Sequence, residues 1–317
     1  MTLERRKFLA GGALGGAAVA IGATAGCAAL ASRATFQQGR SPWPLCLDTA
    51  TIRPQTLVRK VEVAAAAGFD AIEPWDGELR EYEQQGGDLA ELGRRIRDAG
   101  LFVPSIIGLW DAIPATQAAW DAQLPHTKER LRMAAAVGAQ QVQVIPGPRR
   151  PQAEFDRLWA AARYRDLLEL GVGQYGVVPA LVFVEFLDGC KRLSQAMDIA
   201  IQTDHPMARV IPDVFHMHIG GSGFAGLRKV SGDAIAIFQF NDAPASPAKA
   251  QLKDEHRVFP GDGILPLEQC LRDLRDIGFQ RCVSLELYNP AYWRRDPLEV
   301  AVEGREKTLA VIERALA

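Results

Sequence analysis

The stretch Val63-Ala64-Ala65-Ala66-Ala67-Gly68-Phe69-Asp70-Ala71-Ile72-Glu73 decides the fold. It reads as the end of an alanine-rich helix, a glycine, and then a short apolar strand. A glycine just past a helix end supplies the left-handed residue that other side chains resist. The same phrase returns three times along the chain. Arg97-Asp98-Ala99 lead through Gly100 to Leu101-Phe102-Val103. Ala134 to Val137 lead through Gly138 to Val142-Gln143-Val144-Ile145. Arg275-Asp276-Ile277 lead through Gly278 to Val283-Ser284-Leu285. Repeated helix, glycine and strand units mean repeated βα units and hence a parallel sheet.

Strand candidates fall at 45–48, 70–73, 102–107, 141–145, 181–186, 209–213, 235–240 and 282–287. Eight of them, spaced by roughly 25 to 45 residues, predict a (β/α)8 TIM barrel of the α/β class. An open doubly wound sheet is the competing arrangement. It would bring a glycine-rich phosphate turn after the first strand, and Asp48-Thr49-Ala50-Thr51 is not one. No linker interrupts the body, so residues 44–317 are expected to form a single domain.

The 317 residues are 48% hydrophobic with a formal charge of −2. That composition suits one large core and offers no electrostatic reason for a nucleic-acid partner. The five cysteines, Cys27, Cys46, Cys190, Cys270 and Cys282, include no CxxC pair, which argues against a zinc ribbon or a disulfide framework.

Residues 1–34 are expected to lie outside the fold. Arg5-Arg6 precede an apolar run from Ala10 to Ala25, and the arrangement resembles a twin-arginine export signal. Within a buried helix each of its glycines would cost about 1 kcal/mol, which favours a signal segment. Thr24-Ala25-Gly26-Cys27 is a candidate lipoprotein box, with Thr24 where such boxes usually carry Leu. The expected location is periplasmic, with Cys27 as a candidate lipid anchor and the only expected link to a membrane.

In a barrel of this kind, function gathers at the C-terminal strand ends. Strand five closes on Glu185, strand six on Asp213-Val214-Phe215-His216, strand seven on Gln239 and strand eight on Glu286. Three anions crowded into one barrel mouth cost several kcal/mol unless a cation neutralises them. Trp110, after strand three, is a candidate sugar-stacking surface, as are Trp75 and Trp293.

Glu185, Asp213-x-x-His216, Gln239 and Glu286-Leu287-Tyr288-Asn289-Pro290 together resemble the xylose-isomerase-like superfamily of sugar-phosphate isomerases and epimerases. Arg257 and Gly261-Asp262-Gly263 extend the likeness, which runs from about Cys46 to the last helix. The resemblance implies a divalent metal held by Glu185, Asp213, Gln239 and Glu286, with Glu185 and Glu286 as opposed base and acid. It implies that His216, Arg257 and Trp110 bind substrate. Ketose 3-epimerases carry His where this chain has Gln239, a choice shared with hydroxypyruvate-isomerase-like relatives. The resulting oxygen-only set favours Mn2+, with Mg2+ or Co2+ as alternatives, over Zn2+. Apurinic endonucleases on the same barrel bind zinc through many histidines, and this chain has only His126, His205, His216, His218 and His256.

The expected activity is therefore isomerisation or epimerisation of a sugar or keto-sugar through an enediolate. A metal-dependent lyase or dehydratase acting on a keto-sugar or keto-glycoside, resembling inosose dehydratase, is the alternative, and a non-catalytic periplasmic carbohydrate-binding protein is the alternative of another class. The expected partner is a small carbohydrate, and a homo-oligomer is left open.

Overall fold

The computed structural model describes residues 35–147, 156–187 and 189–317. The expected export signal and the candidate Cys27 box lie outside these residues. The strands are β1 (Leu45–Asp48), β2 (Ala71–Glu73), β3 (Ile106–Trp110), β4 (Gln141–Ile145), β5 (Val178–Val182), β6 (Val210–Ile211), β7 (Phe238–Phe240) and β8 (Val283–Leu285). Helices α1 (Leu57–Ala66), α2 (Asp76–Gln84), α3 (Leu89–Asp98), α4 (Gln117–Val137) and α5 (Arg157–Leu170) occupy the first half. Helices α6 (Leu193–Gln202), α7 (Val214–Ile219), α8 (Leu267–Asp276), α9 (Pro290–Trp293) and α10 (Pro297–Leu316) complete the chain.

All ladders are parallel, in the orders β2-β1-β8-β7 and β3-β4-β5-β6. Single bridges join the two arcs: Ala71 to Phe102 and Trp75 to Ile107 on one side, Val210 to Ile235 and Asp213 to Gln239 on the other. The ring thus closes as an eight-stranded barrel. The four punctuating glycines all take left-handed backbone, with φ of 81° at Gly68, 79° at Gly100, 78° at Gly138 and 78° at Gly278.

Two strands sit away from their sequence-predicted places. Strand three starts at Ile106, because Pro104 has no N–H to give a ladder and leaves Phe102 with a lone bridge. Strand five ends at Val182 rather than 186, because the Val184 N–H donates to Cys190 O and turns the chain out of the ladder. Glu185 consequently stands on a turn beyond the strand. Strands six, seven and eight are shorter than expected but keep their positions.

The main core lies between the strands and the helical ring, and a smaller one fills the barrel's interior. The interior layer is built from modest side chains, including Cys46, Ala71, Ala180, Ile211, Ala236 and Cys282. Cys46, Cys190, Cys270 and Cys282 are buried free thiols. The folded unit also begins earlier than residue 44. The Arg40 guanidinium donates to Glu306 and Glu313 of α10 at 2.8 and 2.6 Å, and Gln37 Nε2 donates to Asp70 at 2.6 Å.

Helix α3 approaches α4 through Gly93, where an added Cβ would stand 2.8 Å from the Val137 carbonyl oxygen. Gly93→Ala is expected to lose stability, because overpacking against backbone costs about 1–3 kcal/mol and exceeds the gain of roughly 1 kcal/mol in helix propensity. Gly77→Ala in α2 is the control, since a Cβ there meets nothing within 4 Å. Urea unfolding midpoints measure both. An unchanged midpoint for Gly93→Ala would refute the close approach.

Candidate active site

Arg257 is the centre of the site. It is 1% exposed, on the long connection between β7 and α8. Its Nη1 donates to Asp213 Oδ2 at 2.6 Å and to Glu286 Oε2 at 2.7 Å. Nε and Nη2 donate to Asp254 Oδ1 at 3.0 and 2.7 Å, and Nη2 lies 3.0 Å from His216 Nε2. Every donor of the guanidinium fork is engaged. Its faces pack on the Phe215 and Tyr288 rings at 5.0 and 4.9 Å.

Because a guanidinium can only donate, His216 Nε2 must accept, and the ring proton is assigned to Nδ1. Nδ1 lies 2.8 Å from Glu185 Oε2, at ion-pair distance but out of hydrogen-bonding line. A chain of contacts therefore runs from Glu185 through His216 and Arg257 to Asp213 and Glu286.

Asp213 does two jobs. Its Oδ1 caps α7 by accepting from the Phe215 and His216 N–H groups at 2.7 and 3.3 Å, which leaves Oδ2 for Arg257. Burial pushes its carboxyl up, but Arg257, His216 and the hydrogen bonds from Glu286 and Arg257 outweigh that and hold it at about 2. Glu286 behaves oppositely. Burial drives it well above the usual carboxylate range, Arg257 opposes, and Asp48 and Asp213 push further up. Tyr288, kept a phenol by burial, donates to Glu286 Oε1 at 2.7 Å. Of this close pair, Asp213 keeps the charge and Glu286 favours the proton.

A cavity of about 100 Å3 opens above these groups, lined by His216, Gln239, Arg257, Glu286, Tyr288 and Trp110 among others. Trp110 stands beside Trp75, with ring centroids 5.8 Å apart, and Trp75 meets the Tyr288 ring at 5.9 Å. Gln239, Glu286, His216, Arg257 and Trp110 thus share one cavity. Asp213 lies beneath it, and Glu185 is joined through His216.

The four sequence-derived ligands supply donor chemistry suited to a hard divalent cation. Asp213 Oδ2 and Glu286 Oε2 converge on one cationic nitrogen. Gln239 Nε2 is buried without a hydrogen-bond partner among the described residues, and the amide turned about would present its oxygen instead. Glu185 joins such a set only by turning from His216. As the side chains stand, no three His, Cys, Asp or Glu residues among those described form a cage.

Several site residues escaped the sequence reading. Asp48 and Glu73 close β1 and β2 as Glu286 closes β8. Glu73 accepts from Gln143 Nε2 and Ser284 Oγ, both at 2.8 Å, and burial raises its pKa. Asp48 Oδ2 is buried without a hydrogen-bond partner among the described residues, and burial together with Glu73 raises that carboxyl strongly. The rule that singled out the later strand ends would have found both. Asp254 had no signal beyond its three-residue spacing from Arg257. Gly261-Asp262-Gly263 belongs to an anchoring loop: Asp242, just past β7, accepts the N–H groups of Gly261 and Gly263 at 3.0 Å each and of Leu265 at 2.9 Å.

Known proteins share this architecture. A family model described as a xylose isomerase-like TIM barrel matches residues 61–310. The inosose isomerase of Bacillus licheniformis is 35% identical over 141 residues, covering 44% of this chain and 50% of that protein. The 3-dehydroshikimate dehydratase of Pseudomonas putida is 24% identical over 261 residues, covering 81% of this chain and 40% of that one. The chain therefore spans half or less of the length of these curated relatives. Among solved structures, IolI protein with a bound zinc atom superposes with a TM-score of 0.77 at 24% identity, over 86% of this chain and 99% of that one. An L-ribulose 3-epimerase superposes with a TM-score of 0.69 at 20% identity, over 86% and 95%.

Replacing Arg257 with Met leaves Asp213 and Glu286 buried without their cation. In chelator-treated protein the expected loss is about 3–5 kcal/mol, the usual result of removing one partner of a buried pair. Arg257→Lys should recover part of it, since a point charge replaces a fork. A urea midpoint that stays put in Arg257→Met would show that the guanidinium does not hold the carboxylates together.

Proposed function

The chain belongs to the xylose isomerase-like TIM-barrel family, and from that premise we propose that it is an isomerase or epimerase of a sugar or keto-sugar, dependent on a divalent metal. The observation that carries this reading is geometric: Gln239, Glu286, His216 and Arg257 line one cavity at the barrel mouth, and Asp213 is held by the same guanidinium nitrogen as Glu286. Glu286 is driven toward its neutral form while Asp213, sharing the same guanidinium, stays an anion. Proton transfer beside a carbonyl needs a group able to carry the proton, the role proposed for Glu286, next to an anion able to hold a cation, the role proposed for Asp213.

Glu185, Asp213, Gln239 and Glu286 would hold the metal, Mn2+ being favoured by the oxygen donors. Bound there, the ion would supply positive charge against the negative charge that develops on the substrate's carbonyl oxygen. Glu185 and Glu286 move the proton at the carbon beside the carbonyl: one removes it and the other returns it to the enediolate. Arg257 and His216 offer hydrogen bonds to substrate oxygens, and Trp110 supplies an apolar face for the sugar ring.

A lyase reading has one observation in its favour, the likeness to a 3-dehydroshikimate dehydratase across 81% of this chain. Elimination of water begins with the same proton abstraction and differs in what leaves the enediolate.

The decisive measurement incubates Mn2+-loaded protein with a panel of keto-sugars in D2O and follows the α-proton by NMR. Deuterium incorporation with an epimer or isomer as product supports the first reading, and an unsaturated product supports the lyase. Glu185→Gln or Glu286→Gln should slow exchange by about 10²–10⁴-fold while metal content falls modestly. Tight sugar binding with no exchange in the parent protein would overturn the catalytic reading in favour of a binder.

Export is a separate proposal, supported by Arg5-Arg6 before the apolar run. Changing both arginines to lysine should retain the precursor in the cytoplasm. Fractionation that still finds the double variant beyond the inner membrane would refute the twin-arginine route, and a membrane-bound form dependent on Cys27 would identify the anchor.

A further inference from the structure

A second and larger cavity, of about 780 Å3, opens between the β1–α1 connection and α2. Ala50, Arg53 and Thr56 bound it on one side, Gly77, Glu81 and Tyr82 on the other. These positions follow the C-terminal ends of β1 and β2, so this groove lies on the same barrel face as the candidate site. Trp75 lines both cavities and is their common wall.

We infer that this groove is a second subsite, which takes a neutral, hydroxyl-rich ring joined to the part of the substrate that reacts at the barrel mouth. The inference rests on the barrel mouth being the reaction centre. Volume is the first argument. The mouth's 100 Å3 admits the reacting end of a substrate and little more, whereas 780 Å3 falls within the size range of small-molecule sites. A substrate of one ring would leave the larger space unused.

Charge is the second. Two cations, Arg53 and Lys60, and two carboxylates, Glu78 and Glu81, line the groove, so their formal charges cancel. That balance gives the groove no net charge to attract a multiply charged ligand and suits a neutral one.

Unused donors are the third. Lys60 is 2% exposed, and its ammonium has one partner among the described residues, Glu78 Oε1. An ammonium has three donors, which leaves two for a ligand's hydroxyls. Glu78 is tied down elsewhere, since Oε2 accepts from Thr49 Oγ1 at 2.6 Å and from the Trp75 N–H at 3.0 Å. At the rim, the exposed Arg53 guanidinium lies over Trp75, Tyr288 and Trp293 at 4.9, 5.4 and 5.7 Å, with no ion pair or hydrogen bond among the described residues. Aromatic walls with spare donors and no net charge are what a sugar ring requires of a site.

Gly77 gives a clean test. It lines the groove, its backbone is ordinary helix, and a Cβ there meets nothing within 4 Å. Gly77→Phe therefore starts from open space and directs its ring into the groove, and circular dichroism and the urea midpoint check that the fold is kept. Binding of glucose, cellobiose, maltose and trehalose to the full chain is measured by calorimetry. At least one two-ring sugar should bind about tenfold or more tightly than glucose, and Gly77→Phe should abolish that advantage without weakening glucose. No preference for two rings, or a folded Gly77→Phe protein that keeps the preference, overturns the subsite. The two readings fail separately. α-Proton exchange that proceeds while the groove proves irrelevant removes only this inference, and a groove-dependent preference without exchange removes only the catalytic one.

Discussion

A single buried guanidinium between two carboxylates sets the terms for everything around it. Asp213 beyond β6 and Glu286 beyond β8 are both buried and meet at one guanidinium nitrogen, and two buried anions so close are untenable without a cation. Arg257 supplies it, and the remaining donors of its fork go to Asp254 and His216. Through those bonds it fixes the ring proton of His216 on the side of Glu185. One side chain therefore favours the charge of Asp213, opposes the burial that protonates Glu286, and sets the tautomer of His216.

That arrangement bears on how a metal would enter. A cation arriving between Asp213 and Glu286 would meet a positive charge already present, so binding would be an exchange of partners rather than the filling of an empty cage. The guanidinium would have to yield part of its hold while keeping Asp254. Until then Arg257 holds both carboxylates at hydrogen-bonding distance.

The fold was legible because its punctuation is local. Gly68, Gly100, Gly138 and Gly278 each mark a helix end by backbone geometry that glycine alone adopts cheaply, and the periodic strands follow. Strand limits were less legible where hydrogen bonding, not hydrophobicity, decides them. Phe183 and Val184 are as apolar as any strand residue, yet the bond from Val184 to Cys190 takes them out of the ladder. At the site, polar residues in or just past strands could be read from sequence, as Asp213, Gln239 and Glu286 were, and as Asp48 and Glu73 could have been. Arg257 was found by resemblance, but its burial and its grip on two carboxylates were not, because a loop of many residues hides which strand ends it will face. Asp254 is invisible for the same reason.

The loop that delivers Arg257 has one further property. Asp242 gathers the N–H groups on the far side of the excursion, and Gly263 sits so close that a Cβ would lie 2.4 Å from the Asp242 carboxylate. The stretch from Asp242 to Leu265 thus behaves as a cassette, with its latch at the base and its charged cargo near the middle. Anyone moving this chemistry onto another barrel would have to transplant the cassette whole. An arginine grafted alone would arrive at the right address with nothing to hold it there.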